Sequence, residues 1–212
     1  IGNGIPVDDF LEMRRKPFVN TKKDIICIAR IEPVKNHQYL LKGLSIMSER
    51  YPDVDFHLHL IGEFDQDSEK TILEFTREAG LVDKVTFEGA VSRERILTFL
   101  EKADLSVLTS LKEGKPRALI ESSMAGVPVI GTDVIGTREV IKDGYNGYLV
   151  PLDKPQILAE KMHEILTNPG LAARLGSNAR EFAFEEFDED KVVERLVEIY
   201  KAGVARCPKK SQ

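Results

Sequence analysis

Apolar positions along the chain follow two alternating spacings. Short, mostly β-branched or leucine-rich runs recur at Asp24–Ala29, Asp55–Ile61, Val85–Phe87, Asp104–Leu108, Pro128–Gly131 and Tyr148–Val150. Each is short and bounded by turn residues, and reads as a strand buried on both faces. Between them, apolar residues fall three and four apart, which predicts helices at Asn36–Arg50, Ser68–Ala79, Arg93–Lys102 and Arg117–Ala125, with a short one at Thr137–Ile141. Pro52, Gly80 and Gly126 stand at helix ends, and Gly62 and Gly89 at strand ends. From Lys154 the pattern is helical only, at Lys154–Leu166, Leu171–Phe184 and Asp188–Val204. Asn168-Pro169-Gly170 and Glu185-Glu186-Phe187-Asp188 separate these segments.

Strand–helix alternation with apolar strands predicts an α/β fold. Right-handed crossovers then give a doubly wound parallel sheet of about six strands, with extra C-terminal helices. Residues 1–20 contain Asn3-Gly4, Ile5-Pro6 and the charged Arg14-Arg15-Lys16-Pro17, and read as an irregular lead-in. One domain is expected over residues 21–204, with a flexible tail at 205–212. Residue 1 is Ile, which reads as a chain that has lost its natural beginning.

Composition narrows the function classes. Hydrophobic residues make up 42% and charged residues 31% of 212, a mix that supports a sizeable core. Thirty basic against 35 acidic side chains give a net charge of −5, which removes the global electrostatic case for nucleic acid. No apolar run approaches the ~18 residues of a membrane span. Cys27 lies within Ile25-Ile26-Cys27-Ile28 and reads as a small buried hydrophobe; Cys207 lies in a polar tail. Neither has a metal-binding spacing, which suits a reducing compartment. His57 and His59 share one face of a strand, without a further ligand nearby in sequence, so no metal site is expected.

In doubly wound sheets ligands bind beyond the carboxyl ends of the strands. Here those ends are Arg30, Gly62-Glu63, Gly89-Ala90-Val91, Thr109–Glu113 and Thr132–Gly136. Strand one runs into Arg30-Ile31-Glu32-Pro33-Val34-Lys35 rather than G-x-G-x-x-G, which disfavours a dinucleotide cofactor. No G-x-x-x-x-G-K-[ST] occurs, so a P-loop is excluded. Arg30 and Lys35 instead offer two cations five residues apart, suited to a diphosphate. Read alone, they are more readily an ordinary surface Arg and Lys at a loop. Glu113 and Glu121 lie eight apart around Pro116, a residue suited to a first helical turn. Glu113 then sits above a strand end, and Glu121 leans back toward the same crevice from the second turn. A carboxylate there suits paired sugar hydroxyls, and the free amides of the helix start suit an anion. The bland alternative has Glu113 in solvent and Glu121 paired with a nearby Lys or Arg.

Taken in order, these segments resemble the C-terminal, donor-binding domain of family 4 (group 1) retaining glycosyltransferases of the Rossmann-like GT-B fold. The likeness rests on Asn3-Gly4-Ile5, Ala29-Arg30 with Pro33 and Lys35-Asn36, and Phe87-Glu88-Gly89-Ala90-Val91. It continues through Ser110, Glu113-Gly114 and Pro116, Glu121, Ala125–Val129, Gly136 with Glu139, and Asp143–Val150. The resemblance implies that Arg30 and Lys35 bind the donor diphosphate and stabilise charge on the departing nucleotide. It implies that Glu121 holds the ribose hydroxyls and Glu113 the donor sugar, which makes Arg30, Lys35 and Glu113 the catalytic candidates. The amides of Gly114, Lys115 and Arg117 would lie near sugar and phosphate, Val91 on the loop facing the base, and Gly62 at the strand-two end of the donor site. The donor would be a UDP, GDP or ADP sugar, and no metal or cofactor is required. The acceptor would be a glycan, a lipid or a small molecule.

The same resemblance implies that the active site is shared with an N-terminal acceptor domain, with residues 1–20 as interdomain hinge and the isolated half inactive. It places the enzyme in the cytoplasm and leaves peripheral association with the membrane face, through the other half, open. Two positions depart from the family pattern. Ala29 stands where glycine is usual. Lys115 stands where an apolar residue is usual, and is expected to point to solvent, with contact to an acidic sugar or acceptor as the alternative. A nucleotide-sugar epimerase, a glycan phosphorylase and a silent nucleotide-sugar-binding module are the rival readings.

Overall fold

The computed structural model describes residues 4–13, 21–65 and 68–206. Asn3, Cys207 and most of the expected tail lie outside these residues. Six strands form one parallel sheet in the order β3-β2-β1-β4-β5-β6. They are β1 (Lys23–Ile28), β2 (Phe56–Ile61), β3 (Val85–Gly89), β4 (Leu105–Leu108), β5 (Val129–Thr132) and β6 (Gly147–Val150). β1 pairs with β2 along its whole length, from Lys23 against Phe56 to Ile28 against Ile61, and with β4 on its other edge. The chain therefore steps outward from β1 in one direction, returns, and steps outward from β4 in the other. The crevice at the carboxyl ends of β1 and β4 is the topological switch point, where open α/β sheets bind ligands.

The helices are α1 (Asp8–Leu11), α2 (His37–Arg50), α3 (Ser68–Glu78), α4 (Arg93–Lys102), α5 (Arg117–Met124), α6 (Ile135–Val140), α7 (Pro155–Thr167), α8 (Pro169–Glu186) and α9 (Glu189–Arg206). Right-handed crossovers put α2 and α3 on one face and α4 and α5 on the other. α7 packs on α2 and α8 on α5, so the C-terminal helices complete both layers. Two glycines permit these contacts. A Cβ on Gly43 would stand 2.8 Å from the Leu158 side chain, and one on Gly176 2.3 Å from the Gly126 carbonyl. Ile25, Ile26 and Cys27 are fully buried at the sheet centre. Burial pushes the Cys27 thiol up to about 12, so it behaves as a core hydrophobe.

Two expectations need correction. The lead-in is not wholly irregular: α1 forms one turn, and Ile5 and Phe10 are fully buried. Ile5 donates its amide to the Phe187 carbonyl at 2.8 Å, bridging to the junction of α8 and α9. The segment is thus ordered by chain distant in sequence, which local breakers do not disclose. The break at Asn168-Pro169-Gly170 is one residue wide. Asn168 ends α7 and caps α8, accepting from the Leu171 amide at 3.0 Å, with Pro169 in the first turn.

His57 and His59 do share a face of β2, their rings in edge contact at 4.9 Å. One ring nitrogen of each is engaged, His57 Nε2 with Thr86 and His59 Nδ1 with Glu88, both at 2.8 Å. No helix among the described residues is long and apolar enough to cross a membrane.

Candidate functional site

Just past the end of β1 the chain makes one 3₁₀ turn, Pro33–Lys35, and enters α2 through Asn36 at φ 51°. That left-handed conformation is one Asn tolerates better than most residues. The turn is fastened to the end of β4. Thr109, fully buried, donates its hydroxyl to the Asn36 carbonyl at 3.0 Å, and the Leu111 amide donates to the Val34 carbonyl at 2.8 Å. Lys35 is thereby held over the switch point. Its ammonium lies 2.8 Å from Glu113 Oε1, with the Glu113 side chain only 9% exposed. Ser110 donates to the same oxygen at 2.5 Å. One cation and one carboxylate, 78 residues apart in sequence, thus meet above adjacent strand ends.

The Glu113-Gly114 loop is seated by Gly136. A Cβ on Gly136 would stand 2.5 Å from the Glu113 carbonyl oxygen and 2.2 Å from that of Gly114. Pro116 is the N-cap of α5, and the first amides of that helix have no carbonyl ahead of them to bond. Glu121 sits on the second turn and is 7% exposed. Its Oε1 lies 3.4 Å from Arg117, and its Oε2 lies 2.9 Å from Arg93 on α4.

The sequence candidates fall into groups. Lys35, Glu113 and Gly114 are gathered at the switch point, and Arg117 and Glu121 on the following helix. Arg30 and Gly62 form a second group where β1 and β2 end. Gly62, at φ 153°, lets the chain pass so close that a Cβ would stand 2.1 Å from the Ala29 carbonyl. Arg30 is well exposed and pairs with Glu32 at 3.1 Å. Val91 lies on the loop between β3 and α4. Lys115 corrects an expectation. Its side chain is 18% exposed, pairs with Glu139 at 2.7 Å and stands 5.3 Å from the centre of the Phe187 ring, rather than pointing to solvent.

Two residues were missed. Arg93 reaches Glu121 from another helix, and its only sequence signal was its place directly after the Gly89–Ser92 loop. His37 begins α2, is 2% exposed, and has neither ring nitrogen hydrogen-bonded among the described residues. Burial, with the Lys35 charge behind it, pushes the imidazole down to about 4. It lines a cavity of about 350 Å³ between the 3₁₀ turn and the start of α3, which neither Glu113 nor Glu121 lines.

Residues 9–182 match the model of the glycosyl transferases group 1. The chain belongs to the group 1 glycosyl transferases. It is 32% identical over 194 residues to an N-acetyl-alpha-D-glucosaminyl L-malate synthase of Bacillus anthracis, covering 91% of this chain and 49% of that one. The chain spans about half the length of the curated relatives it matches. Among solved structures it is similar to a TarM variant of S. aureus in complex with fondaparinux, alpha-GlcNAc-glycerol and UDP. The TM-score is 0.78 and the identity 25%, covering 90% of this chain and 38% of that one. The C-terminal domain of a group 1 family glycosyl transferase from Francisella tularensis shares the fold, with a TM-score of 0.75 and 24% identity, covering 87% of this chain and 99% of that one. The six-stranded parallel sheet with flanking helices is the Rossmann-like arrangement of GT-B glycosyltransferases.

Proposed function

We propose that this chain is the donor-binding half of a retaining glycosyltransferase, which moves a sugar from a nucleoside diphosphate sugar to an acceptor oxygen. The observation that carries the reading is the meeting of Lys35 and Glu113 above the switch point, with Glu121 on the helix that follows. In the reaction the bond from the sugar's anomeric carbon to the diphosphate breaks and its electron pair leaves with the nucleotide. A bond from the acceptor oxygen forms on the same face, and the acceptor's proton passes to the departing phosphate. Charge therefore builds on the leaving diphosphate, and cations fixed beside it act on the transition state more than on the ground state. Lys35 is fixed in this sense, while Arg30, exposed on its loop, can fork onto phosphate oxygens.

Glu113 retains lone pairs for sugar hydroxyls beyond those used by Lys35 and Ser110. Glu121 takes the ribose hydroxyls. The amides of Gly114, Lys115 and Arg117 face sugar and phosphate, Val91 borders the base, and Gly62 lies at the strand-two end of the donor site. The acceptor half belongs to the remaining length of the relatives, and the half described here is inactive without it. The reading puts the enzyme in the cytoplasm, with any attachment to the membrane face carried by the acceptor half.

Similarity to a UDP-bound structure makes UDP the first ligand to try. Calorimetric titration of the folded chain with UDP, GDP and ADP, and with their sugars, tests the reading. Binding in the micromolar-to-millimolar range to at least one is expected. No heat from any of them overturns the donor-site assignment.

A further inference from the structure

Glu121 does not stand alone on its helix: besides Arg117 one turn away, it is held from a second helix. Arg93, the first residue of α4, places Nη1 2.9 Å from Glu121 Oε2. The same guanidinium sends Nε and Nη2 to Asp9 Oδ2, each at 3.0 Å, and stands 5.4 Å from the ring centre of the buried Phe10. Asp9 and Phe10 belong to α1. A second arginine closes the arrangement. Arg180 on α8 donates to the Phe10 carbonyl and to the Met124 carbonyl at the end of α5, both at 2.6 Å. The start of α4 is fixed by Ser92, whose hydroxyl accepts from the Arg95 amide. The other cation near Glu121, Arg117, is 59% exposed and 3.4 Å away, a weaker constraint.

We propose that Arg93 is the positioning residue for the Glu121 carboxylate, and that it thereby sets the preference for ribo- over 2′-deoxyribonucleotides. This rests on the assignment of Glu121 to the ribose. A carboxylate offers about four acceptor sites, two on each oxygen. Arg93 occupies one on Oε2 and Arg117 approaches one on Oε1, which leaves a site on each oxygen. A vicinal diol needs that pair, one acceptor per hydroxyl, with the carboxylate plane turned to face it. Rotation of the Glu121 side chain would present one oxygen instead of two. Arg93 blocks that rotation because its own fork is already spent on Asp9, and a planar guanidinium cannot follow one partner without leaving the other. The charge also offsets the cost of keeping a carboxylate nearly buried. A lysine at this position would keep the charge but not the fork.

The test uses whichever of UDP, GDP and ADP binds the chain most tightly, against its 2′-deoxy form, by calorimetry. The ribo-to-deoxy affinity ratio is the readout, since a merely structural loss would weaken both ligands alike. The wild-type ratio is expected at about 10- to 100-fold, the scale of one hydrogen bond to a charged group. Glu121→Gln and Arg93→Gln should each bring the ratio near unity, and Arg93→Lys should leave it intermediate. A wild-type ratio that Glu121→Gln abolishes and Arg93→Gln leaves intact overturns the role of Arg93 while the ribose assignment stands. A wild-type ratio near unity, or one that Glu121→Gln leaves intact, overturns both. If Arg93→Gln fails to fold by circular dichroism, Asp9→Ala, which removes the acceptor of the fork but keeps the Glu121 contact, decides: a lowered ratio supports the proposal and an unchanged one overturns it.

Discussion

Lys35 and Glu113 form an ion pair at 2.8 Å across the two strand ends where the direction of the sheet reverses. Pairing fixes the ammonium at the switch point, where the proposed reading puts the leaving diphosphate. Lys35→Ala should weaken nucleoside diphosphate binding by about 1–3 kcal/mol, the range for a hydrogen bond to a charged group. Glu113→Gln should leave the affinity for the bare diphosphate within about threefold and abolish any additional affinity for its sugar. Parallel titrations with UDP and a UDP sugar separate the two effects. Equal losses for both ligands in both variants would remove the division of labour between the residues.

The seat of the Glu113-Gly114 loop is a backbone contact, so it can be tested by stability alone. Gly136→Ala places a methyl group 2.2 Å from one carbonyl oxygen and 2.5 Å from another, and neither can rotate away. A loss of about 1–3 kcal/mol is expected, the usual cost of overpacking. Gly114→Ala meets nothing within 4 Å and should cost well under that. Urea denaturation of both variants checks the contrast. A Gly136→Ala protein as stable as wild type would mean that the loop shifts freely, and the placement of Glu113 would lose its support.

How far the sequence discloses this arrangement depends on the range of the forces involved. Strand and helix identity follows from local periodicity, and α4 was read at its observed bounds, where Ser92 caps its start. Asp8–Leu11 was not legible, because Ile5 and Phe10 are ordered by α4, α5 and the α8–α9 junction rather than by their neighbours. Glu113 and Glu121 were legible as candidates through their spacing. Their partners were only partly so: Arg117 lies one turn away, but Arg93 comes from a different helix. Lys115 was misread for the same reason, since Glu139 and Phe187 reach it only in three dimensions.

Two histidines should give stability opposite dependences on pH. His37 is pushed down to about 4 by burial and then by Lys35, so the unfolded chain binds the extra proton. Its contribution is complete above about pH 6.5 and is lost as pH falls from there toward about 4, up to about 3 kcal/mol. His59 is raised, chiefly by the Asp24 carboxylate 3.6 Å from its Nε2 and, against partial desolvation, by Glu88. Its contribution is present below about pH 6.5 and is lost as pH rises through the folded value. Chemical denaturation from pH 4.5 to 8 should show His37→Gln flattening the acid limb and His59→Gln the alkaline limb. Wild-type slopes retained in both variants would assign the pH dependence to other groups.

Arg30 offers the sharpest separation of function from stability. Its side chain is 72% exposed and pairs only with neighbouring Glu32 among the described contacts, an arrangement worth little to the fold. Arg30→Ala should therefore shift the unfolding free energy by less than about 0.5 kcal/mol. In the proposed reading this guanidinium serves the donor diphosphate, because two parallel N–H donors can engage phosphate oxygens as they gain charge. The same variant should lose about 1–3 kcal/mol of nucleotide affinity. Arg30→Lys should recover only part of the loss, since a point charge lacks the fork. Calorimetry on the three proteins at two salt concentrations reads this directly, with the difference between wild type and Arg30→Ala shrinking as salt rises. Unchanged affinity in Arg30→Ala would confine the diphosphate to Lys35 and the amides of α5, and would move the donor toward β4.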